Sequence, residues 1–304
     1  METIVNKKYG IVAIVGKPNV GKSSLINAIS KSKVSIVSAK PQTTRNAIKE
    51  LYEDDDSVII FTDTPGYHNE ANKLDIFLNH EVEVSYKEAN LVLLLTSMDK
   101  PLSEDDYKII DHIKENKKEK IILVVSKAET AKTQELIDQR VASLKQHLDF
   151  LDVIQISSTH NINIDKLLNT IKQYLKSDVV TDYFRSKADK TDKFWVQELI
   201  REQCLELLKY EVPHGIGIEI NESKYDSATN HWLINATIII EKDSHKPIVI
   251  GKDGQVIKQI GMNTRKQLLA TYDCDITLKL FVKVEKNWRD NNTIVKGLGY
   301  KINQ

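Results

Sequence analysis

The chain places Gly16-Lys17-Pro18-Asn19-Val20-Gly21-Lys22-Ser23 directly after the apolar run Gly10–Val15, where the helical pattern Lys22–Ser30 begins. A strand, a loop punctuated by two glycines, and a helix opened by Lys-Ser leave few folds available. The spacing is G-x-x-x-x-G-K-[ST], a P-loop. Its glycines let the backbone turn tightly, so that its N–H groups face phosphate oxygens. The helix N-terminus adds partial positive charge. Lys22 is expected to reach the β- and γ-phosphates, and Ser23 to offer its hydroxyl to Mg²⁺. The candidate nucleotide contacts are therefore Gly16, Lys17, Pro18, Asn19, Val20, Gly21, Lys22, Ser23 and Ser24.

Further apolar runs follow at Val58–Thr62, Leu91–Leu95, Ile121–Val125 and Val153–Ile156. They are short, β-branched and apolar on both faces, as strands of a helix-covered parallel sheet are. Helical patterns at Leu74–Glu88, Glu104–Lys114, Thr133–His147 and Ile164–Lys176 separate or follow them. This predicts an α/β domain with a mixed, mostly parallel, doubly wound sheet over residues 1–176. Asp63-Thr64-Pro65-Gly66 closes the second run. An Asp at the end of a sheet strand can hold Mg²⁺ opposite Ser23, and Gly66 can place its N–H on the γ-phosphate.

Residues 177–193 are polar without apolar period and read as a linker. Residues 194–304 follow the order α-β-β-α-α-β: a helix through Val196, Leu199, Ile200 and Cys204, strands Ile216–Glu222 and Trp232–Glu241, helical stretches from Gln255 and over Asn263–Tyr272, then a strand Ile276–Val284. Cys204 on the apolar stripe reads as a core thiol. Two cysteines in 304 residues build no disulfide framework, which fits a reducing cytosol. No apolar run approaches the ~20 residues of a membrane span, and residues 1–6 carry no secretory h-region. Charged residues at 28% with 41% hydrophobics exclude a disordered or fibrous chain.

Together the P-loop and the D-x-x-G resemble the translation-factor class of GTPases. Lys40-Pro41-Gln42-Thr43-Thr44-Arg45 resembles the effector loop of one family in it, the Era GTPases. Glu198–Glu202, Glu211-Val212-Pro213-His214, Leu278–Val284, Asn287-Trp288-Arg289 and Gly297-Leu298-Gly299-Tyr300 follow in family order. The resemblance implies that Thr44 stands near Mg²⁺ and the γ-phosphate, with Lys22, Thr44 and Gly66 as catalytic candidates and Ser23, Thr44 and Asp63 around the metal. It implies that Asn19 helps hold K⁺ beside the phosphates. Tyr67 stands where Ras-like enzymes orient water with Gln, which implies a slow enzyme that needs a partner or cation. His68 is a candidate base, though a lone His in a loop is more often not catalytic.

Guanine recognition in the family uses N-K-x-D after the strand at 121–125. Here the loop is Ser126-Lys127-Ala128-Glu129. Lys127 is kept, Ser126 lacks the amide, and Glu129 holds its carboxylate one methylene further out. A lost polar contact costs about 1–3 kcal/mol, so guanine preference is expected with weaker binding. Ser157 and Ser158 stand where the family has Ser-Ala and contribute backbone N–H groups.

In the second domain Gly251-Lys252-Asp253-Gly254 reads as a G-x-x-G between a strand and a helix, in type II KH order. Such a loop clamps about four single-stranded nucleotides. Gly251, Lys252, Asp253, Gly254 and Lys258 are the candidate RNA contacts, Asp253 against the charge. A net charge of zero would argue against a nucleic-acid partner, but residues 242–304 hold 12 basic against 6 acidic side chains. The resemblance implies a cytoplasmic, monomeric GTP/GDP switch that binds the 3′ end of 16S rRNA and assists maturation of the 30S subunit. The resemblance also allows peripheral membrane association, although no amphipathic anchor stands out in this sequence. Two alternatives stay open: an RNA-binding assembly chaperone with little or no hydrolysis, and an NTPase of relaxed base specificity.

Overall fold

The computed structural model describes residues 6–38, 40, 43–66, 72–116, 118–180, 184 and 192–300. It divides into two compact units, residues 1–69 with 78–189, and residues 70–77 with 190–304.

The first unit is built on β1 (Lys7–Val15), β3 (Ser57–Asp63), β4 (Leu91–Ser97), β5 (Ile121–Ser126) and β6 (Asp152–Gln155). These pair in parallel in the order β3-β1-β4-β5-β6. Period-2 alternation assigns their side chains to two cores. Val12, Ile14, Leu93 and Val124 meet α1 (Lys22–Ser30) and α5 (Ile164–Tyr174) through Leu25, Ile29, Leu167 and Ile171. Ala13, Val15, Leu94 and Leu123 meet α2 (Lys73–Glu88), α3 (Glu104–Glu115) and α4 (Gln134–Lys145) through Val82, Ile110 and Ile137. Helices on both faces explain why these strands read as continuous apolar runs.

Two strands had no counterpart among the apolar runs. β2 (Ile48–Glu53) is an antiparallel edge strand on β3, with Ile48 opposite Asp63. β7 (Lys176–Asp178) pairs antiparallel with Lys7–Tyr9. The segment read as a linker from 177 to 193 therefore starts inside the first unit's sheet, and a helix already runs from Asp192.

The turn between β2 and β3 is tied to α5 by charge. Lys172 Nζ lies 2.7 Å from Asp54 Oδ2 and 2.6 Å from Asp56 Oδ1. Burial alone would raise the Asp54 carboxyl, but hydrogen bonds from Lys172, Tyr52 and Ser57 more than offset it and hold it well below the usual range. A carboxylate depressed on folding stabilises fully above its unfolded value of about 3.9 and loses that contribution as pH falls from there through its lower folded value. Lys172→Met should therefore cost about 1 kcal/mol at pH 7. The gap to the parent chain should begin to narrow below about pH 4 and go on narrowing into stronger acid, read from urea midpoints across pH.

The second unit holds α6 (Asp192–Leu207), β8 (Gly217–Asp226), β9 (His231–Ile240), α7 (Lys246–Ile250), α8 (Gln255–Leu269), β10 (Asp275–Val284) and α9 (Asn292–Gly297). The sheet order is β10-β9-β8, with β10 parallel and β8 antiparallel to β9. Val196, Ile200 and Cys204 of α6 join Ile260 and Leu268 of α8 over Ile218, Ile234 and Ile238. Cys204 is the core thiol expected, and Trp288 is fully buried with Nε1 donating to Gly215 O at 2.9 Å. Two expectations change. α8 is one continuous helix rather than two stretches, and Gly251–Gly254 lies between α7 and α8 rather than after a strand. No helix among the described residues is long and apolar enough to cross a membrane.

Candidate nucleotide and metal site

The P-loop leaves β1 at Val15 and enters α1 at Lys22. At Gly16 a Cβ would stand 2.6 Å from the Leu95 carbonyl oxygen, so no larger residue fits beside β4. Gly21 precedes the helix without any side-chain cap. The first N–H groups of α1 are thus left to an anion rather than to the chain itself. The Lys22 ammonium is buried and donates to Gly16 O at 2.8 Å and Lys17 O at 3.1 Å. Burial pushes it down to about 8, with Asp63 partly opposing. A phosphate at the loop would supply the counter-charge that burial denies it.

Asp63 ends β3, fully buried. Its Oδ2 accepts from Ser23 Oγ at 2.6 Å, Ser35 Oγ at 2.9 Å and Thr44 Oγ1 at 3.3 Å. Ser23 Oγ and Thr44 Oγ1 are 3.0 Å apart. Burial raises the Asp63 carboxyl, against Lys22 and the three hydroxyls. Its Oδ1 is buried with no hydrogen-bond partner among the described residues. One carboxylate, two hydroxyls and an unsatisfied oxygen form a hard donor set suited to Mg²⁺, which completes its shell with water and phosphate oxygens. The residues present fit the ion.

Ser35 was not among the predicted site residues. Asn27 of α1 places it: Asn27 Oδ1 accepts from the N–H groups of Val34 and Ser35, both at 2.9 Å, and Nδ2 donates to Ser35 O at 2.8 Å. The available signal was a Ser between Val34 and Ile36, a polar residue in the otherwise apolar run Val34–Val37.

A cavity of about 370 Å³ joins Asn19, Lys22, Ser23, Ser24, Thr44 and Gly66 to Asp99, Lys100 and Lys127. Gly66 sits against Pro18, where a Cβ would fall 2.8 Å from the proline ring. Lys17 is placed otherwise. Its ammonium is 2.7 Å from Asp106 and 2.9 Å from Pro101 O, held at the N-terminus of α3. Thr64 likewise spends its hydroxyl on Ile14 O at 2.8 Å.

At the far end, Lys127 Nζ donates to Asn19 O at 2.9 Å and to Asp99 at 2.6 Å. Asp99 was a second residue missed from sequence. Ser126 Oγ is buried and donates to Val20 O at 2.5 Å. The resemblance counts Ser126 as a loss, yet its hydroxyl still ties the base-side loop to the P-loop. Ser126→Ala should therefore weaken GDP binding about tenfold, the worth of one buried hydrogen bond, measured by calorimetry. Ala128 N donates to Ile156 O at 3.1 Å, so the 126–129 and 156–160 loops meet. Glu129 lies 3.4 Å from Thr159 Oγ1. Ser157 is buried, its Oγ 3.0 Å from His160 Nδ1, and Ser158 is half-buried.

In the second unit Gly251 and Gly254 have φ of 75° and 73°, with Asp253 at 51° between them. At Gly251 a Cβ would strike Val256 Cγ2 at 2.4 Å. Lys252, Asp253 and Lys258 are exposed. Beside them a groove of about 290 Å³ is lined by Ile257, Lys258, Met262, Arg265, Leu278 and Leu280. Arg265 was not predicted.

Comparison with known proteins matches residues 11–127 to the family described as 50S ribosome-binding GTPase and residues 211–289 to the KH domain. GTPase Era of Ureaplasma urealyticum is 69% identical over 97% of this chain and 99% of its own. GTPase Era of Clostridium novyi is 39% identical over 97% and 99%. The chain belongs to the Era family of GTPases. A crystal structure of an Aquifex aeolicus Era variant bound to GDP and tetrafluoroaluminate superposes with a TM-score of 0.89 at 31% identity, covering 97% of this chain and 100% of that one. A crystal structure of Era with MgGDPNP and nucleotides 1506–1542 of 16S ribosomal RNA gives 0.90 at 30% identity, with the same coverage. The fold is thus the P-loop GTPase domain followed by a KH domain. Within that family frame, Tyr67 and His68 fall outside the described residues.

Proposed function

We propose that this Era-family chain is a GTP-hydrolysing switch that binds the 3′ end of 16S rRNA and assists maturation of the small ribosomal subunit. The carrying observation is the convergence of Ser23, Thr44 and Asp63 oxygens at the mouth of the P-loop cavity. In this reading residues 1–176 bind nucleotide, 177–193 link, and 194–304 bind RNA through Gly251–Gly254 and Lys258. The chain acts as a cytoplasmic monomer.

Water attacks the γ-phosphorus in line, and the bond to the β–γ bridging oxygen breaks to leave GDP and phosphate. Lys22 and the N–H groups opening α1 carry the phosphate charge. Thr44 and Gly66 register the γ-phosphate, so their loops respond to its loss. Ser23, Thr44 and Asp63 would hold Mg²⁺, which would supply positive charge against the phosphate oxygens. Asn19 at the cavity wall is positioned to favour K⁺ beside them.

The test is multiple-turnover phosphate release from GTP and from ATP, in K⁺ and in Na⁺, with and without a 16S rRNA 3′-end fragment. Release from GTP alone, faster in K⁺, is expected. Equal turnover of ATP would establish relaxed specificity, which Ser126 and Glu129 would explain. No turnover with K⁺ and RNA present would leave the chaperone reading.

A further inference from the structure

The second unit carries another cavity, of about 380 Å³, that neither the nucleotide site nor the G-x-x-G groove uses. Three aromatic rings line it: Tyr225, Trp232 and Tyr272. Trp232 and Tyr272 pack edge to face with centroids 5.0 Å apart. Each ring is pinned at its polar end. Trp232 Nε1 donates to Ser223 Oγ at 3.0 Å, Tyr272 OH to Asp192 Oδ1 at 2.7 Å, and Tyr225 OH to Asn230 Oδ1 at 2.8 Å. Fixing the rings in advance removes most of the ordering cost that a ligand would otherwise meet. Tyr225 is 58% exposed, an aromatic face left open at the rim.

The charge in the cavity has one sign. Asp192 and Asp273 are its ionisable acids, and no Lys or Arg lines it among the described residues. Asp273 has no hydrogen bond or ion pair to its carboxylate among those residues, and Asp192 uses a single oxygen. Burial and Asp192 push the Tyr272 phenol up, and burial with Asp273 and Asp275 pushes the Cys274 thiol up, so both stay neutral. Aromatic faces beside unpaired carboxylates attract a cation with a flat, apolar body. Guanidinium has that shape, and its forked donors match a carboxylate. A nucleic-acid phosphate would meet two negative charges here. The place differs from the G-x-x-G turn as well. Tyr272 and Asp273 follow the C-terminal end of α8, while Gly254 precedes its N-terminal end, a helix length of about 22 Å away.

We propose that this cavity is a docking site for an arginine side chain presented by a basic protein segment. The exposed Tyr225 face stacks on the guanidinium at the rim, and Asp273, with the Asp192 oxygen that carries no hydrogen bond among the described residues, accepts its hydrogen bonds. A switch with two recognition surfaces on one small domain can engage RNA and a basic protein together.

The test uses the full chain and a fluorescein-labelled Gly-Arg-Gly-Arg-Gly peptide, read by anisotropy at low salt. Tyr225→Ala should weaken binding about tenfold and Asp273→Asn about fivefold. Both positions are exposed, so the fold is kept, and circular dichroism checks it. Glu206→Gln, an exposed acid elsewhere on α6, should leave affinity unchanged. The same peptide with citrulline for arginine should bind at least about tenfold more weakly. Parent affinity in both cavity variants, or equal binding of the citrulline peptide, would overturn the proposal. So would displacement of the peptide by oligouridylate that Tyr225→Ala abolishes, which would make this a base-stacking RNA site.

Discussion

The Lys22→Ala chain should release phosphate from GTP about a thousandfold more slowly than the parent, while still folding. Lys22 is the buried cation that faces Asp63 across the P-loop, and its ammonium has no solvent to replace it. A preorganised charge at a water-poor site acts on the transferring phosphoryl group with several kcal/mol. Its removal also relieves the burial cost of the lysine itself, so the stability change should be small. Binding should separate the two nucleotides. GTP affinity should fall further than GDP affinity, because the γ-phosphate loses its partner. Lys17 provides the contrast within the same loop. Its ammonium is held by Asp106 and the Pro101 carbonyl at α3, and both charges are nearly buried. Lys17→Ala should cost about 3 kcal/mol of stability by stranding Asp106, yet leave most of the turnover per folded molecule. Calorimetric unfolding and phosphate release on the same samples decide it. Equal kinetic effects of the two substitutions would refute this division of roles.

The contrast between those lysines marks what the sequence discloses and what it hides. The P-loop and Asp63–Gly66 were legible because their spacing encodes a backbone path: a strand end, a tight turn, a helix start. Side-chain destinations are not encoded that way. The partner of Lys17 lies 89 residues on, and that of Ser126 lies 106 residues back. Ser35 was hidden for the same reason, since Asn27 and Asp63 reach it from separate elements. Strands β2 and β7 escaped because they show no apolar run. Ile48–Glu53 is interrupted by Lys49, Glu50 and Glu53 at a sheet edge, and Lys176–Asp178 is exposed and contributes backbone pairs alone. α7 was misread because Lys246-Pro247-Ile248-Val249-Ile250 is β-branched and apolar, which short strands also are. Pro247 in the first turn was the available signal for a helix start. The stretches from Gln255 and over Asn263–Tyr272 join without a break through Gly261, where even a Cβ would meet Leu280 only at ordinary contact distance.

The second large effect concerns the RNA surface. Lys252→Asp combined with Lys258→Glu should lower affinity for a single-stranded 3′-end rRNA fragment at least about a hundredfold near physiological salt. Lys252 sits exposed at the tip of the G-x-x-G turn and Lys258 on the wall of the adjoining groove. Neither has an ion-pair partner among the described residues, so their charge is available to phosphates. Asp253 already stands between the two glycines, and reversing both lysines would make the loop uniformly negative. Each lost phosphate contact on a single strand removes about 0.7 from the slope of log affinity against log salt. The double variant should therefore show a slope shallower by about 1.4. Arg265 should behave differently. Its Nε donates to Ile276 O at 2.6 Å, which orients it in the groove. Arg265→Ala should weaken binding with a smaller change in salt slope, through lost stacking on a base. GTP turnover without RNA should be unchanged in every one of these variants, because none lies in the nucleotide site. Anisotropy titrations at several salt concentrations provide the slopes. An unchanged slope in the lysine variant would mean that the RNA backbone runs elsewhere on the domain.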